Sequence, residues 1–314
     1  MSQLPIGLVF PGQGTQRQGM GEQWRETPSW ELTEQISEAT GEDLPELLLH
    51  TSTEQLRRTD LAQLTVFSVA VVAHAEAVRR GALGTTVVAC AGHSLGEYAA
   101  LTAAGALTVG AAAALVAARG RAMRDAAEQR AGTMGVLVAA PLPEVDDLVA
   151  AVRASGPEVW VANVNAPGQT VVSGSPEGVA LVEEHASSIG GKMIRLQVGG
   201  AFHSPYMAPA VAPLRRALKD TAFTPAHLPV VANVDAEPYT GDWAELGVRQ
   251  LTSPVLWEQS VRTLTGVLGC RKLVELGPGR TLAGLIRRID PEVEVVSLNG
   301  PEELEPVRGM AVGT

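Results

Sequence analysis

The sequence has few cysteines. Only Cys90 and Cys270 occur among its 314 residues, and their separation matches no metal-ligand spacing. A disulfide scaffold needs more than two cysteines, and both lie among apolar neighbours, so we expect buried free thiols. Such usage fits a reducing compartment, and we therefore expect a cytoplasmic protein.

Aromatic side chains and long apolar runs are also scarce. Aromatics make up 4% of a chain that is 46% hydrophobic, which predicts a core of small aliphatic side chains with helices close to a sheet. Ile6–Phe10 is too short for a signal-peptide core, and no basic segment precedes it. Leu107–Ala118 falls short of the ~18 apolar residues that a membrane span needs. No membrane partner is expected.

Positive charge is in deficit. Lysine and arginine number 24 against 34 aspartates and glutamates, for a net charge of −10. An acidic chain does not attract polyanions as a whole, so nucleic acid is excluded as a partner unless a local basic patch exists. The sequence carries no signal for an oligomer, and a monomer is expected.

The chain does contain a regular alternation of short apolar runs with longer helical patterns. This alternation is typical of an α/β fold with a parallel sheet. The predicted strands are Ile6–Phe10, Thr86–Ala91, Leu228–Val234, Leu273–Leu276 and Val293–Leu298. The predicted helices are Leu61–Arg80, Glu97–Ala104, Val109–Arg130, Tyr206–Lys219, Pro254–Leu268 and Thr281–Arg288.

The middle of the chain follows a different order. Its patterns predict strands at Met134–Ala139, Val159–Asn163, Gln169–Ser173 and Lys192–Val198, with helices at Leu142–Ala154 and Pro176–Ile189. The resulting βαββαβ order is that of a ferredoxin-like unit. We therefore predict that residues 132–198 form a small subdomain inserted in a large α/β-hydrolase-like one, made of residues 1–131 and 199–300. Residues 301–314 are predicted to be a flexible tail.

One candidate nucleophile stands out. Gly92-His93-Ser94-Leu95-Gly96 matches G-x-S-x-G between a predicted strand and a predicted helix. The tight turn would expose the serine, and glycines on either side would avoid a collision with it. The following helix would point its N-terminus at a developing oxyanion. The alternative is an ordinary strand-to-helix turn in which Ser94 is only the helix N-cap.

A serine nucleophile needs a base, and the chain has six histidines. Most have a simpler explanation: a surface position for His74 and His185, a helix end for His50, a proline-flanked loop for His227 and packing for His93. His203 lies in a loop between the predicted small subdomain and the next helix, where a base can face a cleft. The spacing therefore favours His203.

Taken together, the motifs resemble the malonyl-CoA:acyl carrier protein transacylases of fatty acid and polyketide synthesis. The resemblance covers nearly the whole chain. It lies in Pro11-Gly12-Gln13-Gly14-Thr15-Gln16, Gly92-His93-Ser94-Leu95-Gly96-Glu97-Tyr98, Arg119-Gly120 with Met123, Asn163-Val164-Asn165-Ala166-Pro167-Gly168-Gln169, Phe202-His203-Ser204, Asn233-Val234-Asp235, Gln250-Leu251 with Pro254-Val255, and Glu275-Leu276-Gly277-Pro278-Gly279.

The resemblance implies a role for each matching residue. Ser94 would be the nucleophile and His203 its base, with the imidazole oriented by the main-chain carbonyl of Gln250 instead of a carboxylate. The oxyanion hole would be the backbone N–H groups of Gln13 and Leu95.

Two further residues bear on the acyl group. Arg119 follows an apolar run, so it can point into the protein, although a solvated helix face with Arg121 and Arg124 is the alternative. The resemblance places Arg119 at the pocket floor, where its fork would hold a malonyl carboxylate. Phe202, by the same resemblance, goes with malonyl over methylmalonyl; it could also simply anchor the loop.

The expected reaction is malonyl transfer from malonyl-CoA to the phosphopantetheine thiol of an acyl carrier protein, with ping-pong kinetics and no bound metal or redox cofactor. Docking an acidic carrier protein would need a basic patch, for which Lys192 with Arg195 or Arg287 with Arg288 are candidates. Three alternatives stay open: an editing thioesterase, a transferase for methylmalonyl, and a scaffold that lacks catalysis.

Overall fold

The computed structural model describes residues 4–84 and 87–304. Its strands are β1 Ile6–Phe10, β2 Val87–Gly92, β3 Thr133–Val138, β4 Val159–Ala166, β5 Gln169–Gly174, β6 Lys192–Arg195, β7 Val230–Val231, β8 Pro238–Tyr239, β9 Lys272–Leu276 and β10 Glu294–Leu298. Its α-helices are α1 Leu32–Thr40, α2 Leu44–Leu49, α3 Thr59–Arg79, α4 Gly96–Ala103, α5 Val109–Gln129, α6 Leu142–Ala154, α7 Pro176–His185, α8 Ala208–Lys219, α9 Trp243–Gln250, α10 Trp257–Arg262 and α11 Thr281–Ile289.

The first sheet has the strand order β10-β9-β1-β2-β7-β8 and is parallel except for the β7–β8 pair. Every residue of β1 is buried, as expected for a strand covered on both faces. Phe10 is paired with Gly92, so β1 and β2 end side by side at the same edge of the sheet. The glycine-rich turns that follow these two strands are therefore neighbours in space.

Helix α3 passes through the core of this part of the molecule and contacts α4 and α5. It is long and apolar enough to cross a membrane, and 83% of its most apolar stretch is buried inside the fold. His74 of this helix was expected at the surface and is instead half-buried, with its ring edge-on to Phe10 at 6.1 Å. Burial lowers the pKa of His74 to about 4. The surface prediction was wrong because α3 is covered on nearly all sides.

The second sheet has the order β4-β5-β3-β6 and is antiparallel throughout. Helices α6 and α7 cover it and share its small core, which includes Val145, Val172 and Val179. Strands and helices here follow one another as β3-α6-β4-β5-α7-β6. The predicted α/β fold with a parallel-containing sheet and a separate second sheet is confirmed. The subdomain boundaries at residues 132 and 198 remain a prediction.

Several elements differ from the prediction. The strand expected at Leu228–Val234 is only Val230–Val231. Beyond it the chain leaves the sheet, and the Asn233 side chain hydrogen-bonds Gly92 at the end of β2 and Ser94 in the turn that follows. The helix expected over Pro254–Leu268 begins at Trp257 and continues after Arg262 as a π-helical turn. In the predicted tail, Pro301–Glu303 forms a 3₁₀ turn. Residues 305–314, like Thr86 of the second predicted strand, lie outside the described residues.

Candidate active site

A cavity of about 320 Å³ lies between the two sheets. The turns after β1 and β2, helix α5 and the loop before α8 form one side of it, and the inner face of the antiparallel sheet forms the other. The lining includes all the predicted site residues except Gln250: Gln13, Ser94, Leu95, Arg119, Phe202 and His203. The structure therefore brings together groups that are far apart in the sequence.

The turn at Ser94 is as tight as the sequence pattern requires. Ser94 has a φ of 52°, in the left-handed region that residues with a side chain seldom adopt. A Cβ added to Gly92 would lie 1.9 Å from the carbonyl carbon of Gly96, and one added to Gly96 would lie 2.1 Å from the Phe10 oxygen. The glycines thus allow backbone segments to pass close to one another at this turn.

Ser94 Oγ lies 2.7 Å from His203 Nε2, and His203 Nδ1 lies 2.9 Å from the main-chain oxygen of Gln250. A carbonyl only accepts, so Nδ1 carries the proton and Nε2 is free to accept from the serine hydroxyl. Burial, and next the positive charge of Arg119, lower the pKa of His203 to about 3. The imidazole is therefore neutral at physiological pH, as a general base must be.

Arg119 points inward and is 1% exposed. Its Nη2 donates to Ser94 Oγ and to Gln250 Oε1, both at 3.0 Å, and its Nη1 donates to Gln63 Oε1 at 2.6 Å. Its Nε is buried and has no hydrogen-bond partner among the described residues. Arg119 also forms no ion pair with any of the described residues. A buried guanidinium beside a serine nucleophile, surrounded only by neutral acceptors, is suited to bind an anionic group.

A network of buried polar side chains holds the turn at Ser94 in place. Asn233 accepts from the Ser94 N–H at 2.6 Å and donates to the Gly92 carbonyl at 2.7 Å. The side-chain Nε2 of Gln250 donates to the Ser94 carbonyl at 3.0 Å and to Glu97 Oε1 at 2.9 Å. Burial raises the pKa of Glu97, while the hydrogen bond from the Asn233 N–H, the charge of Arg119 and the hydrogen bond from Gln250 oppose that rise.

Three of these groups were missed from the sequence alone. Asn233 and Glu97 stood in the recognised motifs without a role, and Gln63 was not singled out. Gln63 is 1% exposed on the largely apolar helix α3. A polar amide on such a helix must find a partner, and this was the signal that could have identified it.

The remaining predicted residues take these places. Leu95 is buried directly before α4, where amide groups have no intrahelical partner, and Gln13 is half-buried in the turn after β1. Phe202 is 5% exposed beside His203. His93 packs edge-on against Trp257 and its Nε2 lies 2.9 Å from an Asn165 oxygen.

Neither candidate basic pair is wholly free. Arg195 forms an ion pair with Glu183 at 2.7 Å, while Lys192 is exposed. Arg288 donates to Gln169 Oε1 at 2.6 Å and to the Pro167 carbonyl, so it joins α11 to the turn between β4 and β5.

Comparison with known proteins identifies the family. The model of the acyl transferase domain matches residues 8–287. The malonyl CoA-acyl carrier protein transacylase of Bacillus subtilis strain 168 is 36% identical over 307 residues, 96% of this chain and 95% of that protein.

Solved structures agree with this match. The malonyl CoA-acyl carrier protein transacylase of Coxiella burnetii superposes with a TM-score of 0.90 at 32% identity, covering 96% of this chain and 97% of that one. A malonyl-transacylase in complex with its type II PKS acyl carrier protein gives the same TM-score, identity and coverage. The chain therefore belongs to the acyl transferase family, among the malonyl-CoA:acyl carrier protein transacylases.

Proposed function

We propose that this protein transfers a malonyl group from malonyl-CoA to the phosphopantetheine thiol of an acyl carrier protein, through an ester on Ser94. One observation carries the proposal. Ser94 Oγ lies within hydrogen-bond distance of both a neutral base, His203, and a buried cation, Arg119. The names of the relatives and the carrier-protein complex of one of them support the same reaction.

In the first half-reaction, Ser94 Oγ attacks the thioester carbon while its proton passes to His203 Nε2. The carbonyl oxygen becomes an oxyanion, for which the amides of Gln13 and Leu95 are the proposed donors; losing one such donor typically costs about 2.7–4 kcal/mol. The carbon–sulfur bond then breaks, and the coenzyme A sulfur takes the proton from His203. Gln250 keeps the imidazole in the required tautomer throughout.

In the second half-reaction, the phosphopantetheine thiol gives its proton to His203 and attacks the malonyl ester. The ester oxygen returns to Ser94 with that proton. The first half-reaction converts Ser94 to its malonyl ester and the second restores the free serine, so the kinetics are ping-pong. No step requires a metal or redox cofactor from the protein.

Arg119 is the proposed ligand of the malonyl carboxylate. Its guanidinium has neutral oxygen acceptors from Gln63, Gln250 and Ser94, and a carboxylate would replace a neutral contact by a charge-assisted one. A neutral acyl chain would leave the buried cation uncompensated, which is costly. Selectivity then comes from this penalty as much as from attraction.

The alternatives are less well supported. A thioesterase would use the same Ser94 and His203, but the relatives from Bacillus subtilis and Coxiella burnetii are transacylases. A scaffold protein would not need a base aligned with a nucleophile. Phe202, which narrows the cavity beside His203, is the proposed reason for preferring malonyl over methylmalonyl; one methyl group in an apolar pocket is worth about 1–3 kcal/mol. We also propose a cytoplasmic monomer.

Adduct mass tests the proposal directly. The protein is exposed to malonyl-, methylmalonyl- or acetyl-CoA and its intact mass is measured. Malonyl should give the strongest adduct on the wild type and none on Ser94→Ala, whose transfer rate should fall on the order of 10⁴-fold or more. Adding acyl carrier protein should move the malonyl group onto it. Release of free malonate without acylated carrier protein would contradict the transferase proposal.

A further inference from the structure

Glu97 is a buried carboxylate that the proposed mechanism leaves without a role. It is the second residue of α4 and is 3% exposed. It is not among the residues that line the cavity. Its Oε2 accepts from the Asn233 main-chain N–H at 2.7 Å, and its Oε1 accepts from Gln250 Nε2 at 2.9 Å. Asn233 and Gln250 both hydrogen-bond the main chain of Ser94 through their side chains.

Glu97 determines which way the Gln250 amide faces. A carboxylate only accepts and a guanidinium only donates. With Glu97 on one side and Arg119 on the other, the Gln250 NH₂ group must face Glu97 and its oxygen must face Arg119, as their distances of 2.9 and 3.0 Å indicate. Without an oxygen acceptor at the Glu97 position the amide can turn over. Its NH₂ group would then oppose the guanidinium, and Arg119 would lose an acceptor.

The same two contacts support the strained nucleophile. Gln250 Nε2 also donates to the Ser94 carbonyl, and Asn233 accepts from the Ser94 N–H. Both main-chain groups of a residue with φ of 52° are therefore held by side chains of residues that Glu97 binds. A left-handed serine persists only where its surroundings fix it.

The amide between the two charges also keeps Arg119 available. A direct ion pair with Glu97 would satisfy the guanidinium and compete with an incoming carboxylate. The ion pairs of the described residues include none between Glu97 and Arg119. Glu97 is thus linked to the guanidinium only through Gln250 and does not occupy the donors that a substrate would need.

We propose that Glu97 is a positioning residue: through the Gln250 amide, its carboxylate aligns Arg119 with the Ser94 nucleophile and so sets the preference for acyl groups that carry a carboxylate. The inference depends on the proposed function, since it concerns malonyl recognition at the same site. It differs from a purely structural role because a structural defect would impair all acyl groups alike.

The test compares kcat/KM for malonyl-CoA and acetyl-CoA, with acyl carrier protein as acceptor. In Glu97→Gln the malonyl value should fall about 10- to 100-fold, the scale of one hydrogen bond to a charged group, and the malonyl-to-acetyl ratio should fall about tenfold or more. The matched control is Glu275→Gln. Glu275 is equally buried, but its carboxylate caps α11, so the ratio should stay within about twofold of wild type.

Gln250→Met provides an independent variant, since it keeps the main-chain carbonyl for His203 and removes the amide. It should lower the ratio by itself, and the double variant with Glu97→Gln should lower it no further, because both changes break the same link. Thermal unfolding of each variant identifies any loss of folding; if Glu97→Gln does not fold, Gln250→Met carries the test.

The outcomes are distinct. Equal losses for both substrates, an unchanged ratio in Gln250→Met, or additive effects in the double variant would overturn the role of Glu97. If the wild type itself transfers no malonyl group, the proposed function fails before any variant is compared.

Discussion

The two sheets contribute to the cavity in different ways. Each charged or reacting side chain in the lining comes from the part of the chain built around the parallel sheet: Ser94, Arg119 and His203. The described residues of the antiparallel sheet and its connections contribute only apolar or amide side chains: Met134, Val136, Asn163, Asn165, Gln169, Val171, Leu196, Gln197 and Val198. One side carries the chemistry and the other gives the cavity its shape.

Backbone strain follows the same division. Ser94 and His203 have φ values of 52° and 56°, and each such residue costs of order 1–3 kcal/mol. The antiparallel part has one residue of this kind in its described segments, Ala139, which lies in the turn after β3 and outside the cavity lining. Ala236 and Asp242 of the parallel part also have positive φ values but lie outside the cavity lining, so it is the strain at Ser94 and His203 that coincides with the reacting groups.

After the loss of the nucleophile itself in Ser94→Ala, the largest effect should come from Arg119→Ala. Malonyl transfer should fall about 10²- to 10³-fold, because truncating one partner of a buried charge pair costs about 2–5 kcal/mol. Acetyl transfer should change far less, as it makes no use of the charge. Initial rates with both thioesters measure this, with Arg121→Ala as control, since Arg121 is exposed on the same helix. Equal losses for both substrates would make Arg119 structural.

The sequence predicted the site better where local pattern decides the structure. The G-x-S-x-G turn at Ser94 could be recognised because a predicted strand precedes it and a predicted helix follows it. Helix α6 was predicted at its observed bounds, Leu142–Ala154. The apolar run before Arg119 allowed an inward position, and the family resemblance placed it at the pocket floor. Asn233 shows the limit: it bonds Ser94 across 139 positions and ends β7 early. The hydrophobic periodicity of the sequence cannot predict such a contact, because the contact depends on how the strands and helices pack together.

Gln250 illustrates the same limit within one residue. Family resemblance indicated its main-chain carbonyl, which does contact His203. The links of its side chain to Arg119, Glu97 and Ser94 became visible only in three dimensions. A sequence motif names a residue, but the orientation of its amide is decided by the charges that surround it.

Acid should weaken the parallel-sheet part through His74. Its pKa is lowered from the ordinary histidine value of 6.5 to about 4 in the folded protein, so the unfolded chain takes up the proton first as the pH falls. The stability that the neutral ring contributes is complete above pH 6.5 and is lost progressively down to pH 4. Between about pH 7 and 5 this loss amounts to about 2 kcal/mol.

Denaturant unfolding at both pH values measures the effect. His74→Gln should lose about 2 kcal/mol less than the wild type over that interval, whatever its stability at neutral pH. The antiparallel part offers a control in His185→Gln, since His185 is exposed on α7, and this variant should lose as much as the wild type. His203, whose pKa is lowered to about 3, adds the same loss to both proteins, so identical losses in His74→Gln and wild type would remove His74 as an acid-sensitive group.

The smallest effect should come from the antiparallel wall. Val171 and Val172 are adjacent on β5 and both buried, but they face opposite sides of the sheet. Val171 lines the cavity, whereas Val172 belongs to the core under α6 and α7. Replacing either by alanine removes the same two methyl groups, so the pair separates the shape of the cavity from the stability of the sheet.

Val171→Ala should lower malonyl transfer less than about tenfold and raise the ratio of methylmalonyl to malonyl transfer by up to about tenfold, since space for one methyl group is worth about 1–3 kcal/mol. Val172→Ala should reduce the free energy of unfolding by a similar amount and leave that ratio unchanged. Steady-state rates with both thioesters, beside denaturant unfolding, distinguish the two variants. A loss of malonyl transfer as large as that of Arg119→Ala would mean that the antiparallel sheet takes part in the chemistry and that the division between the two sides is wrong.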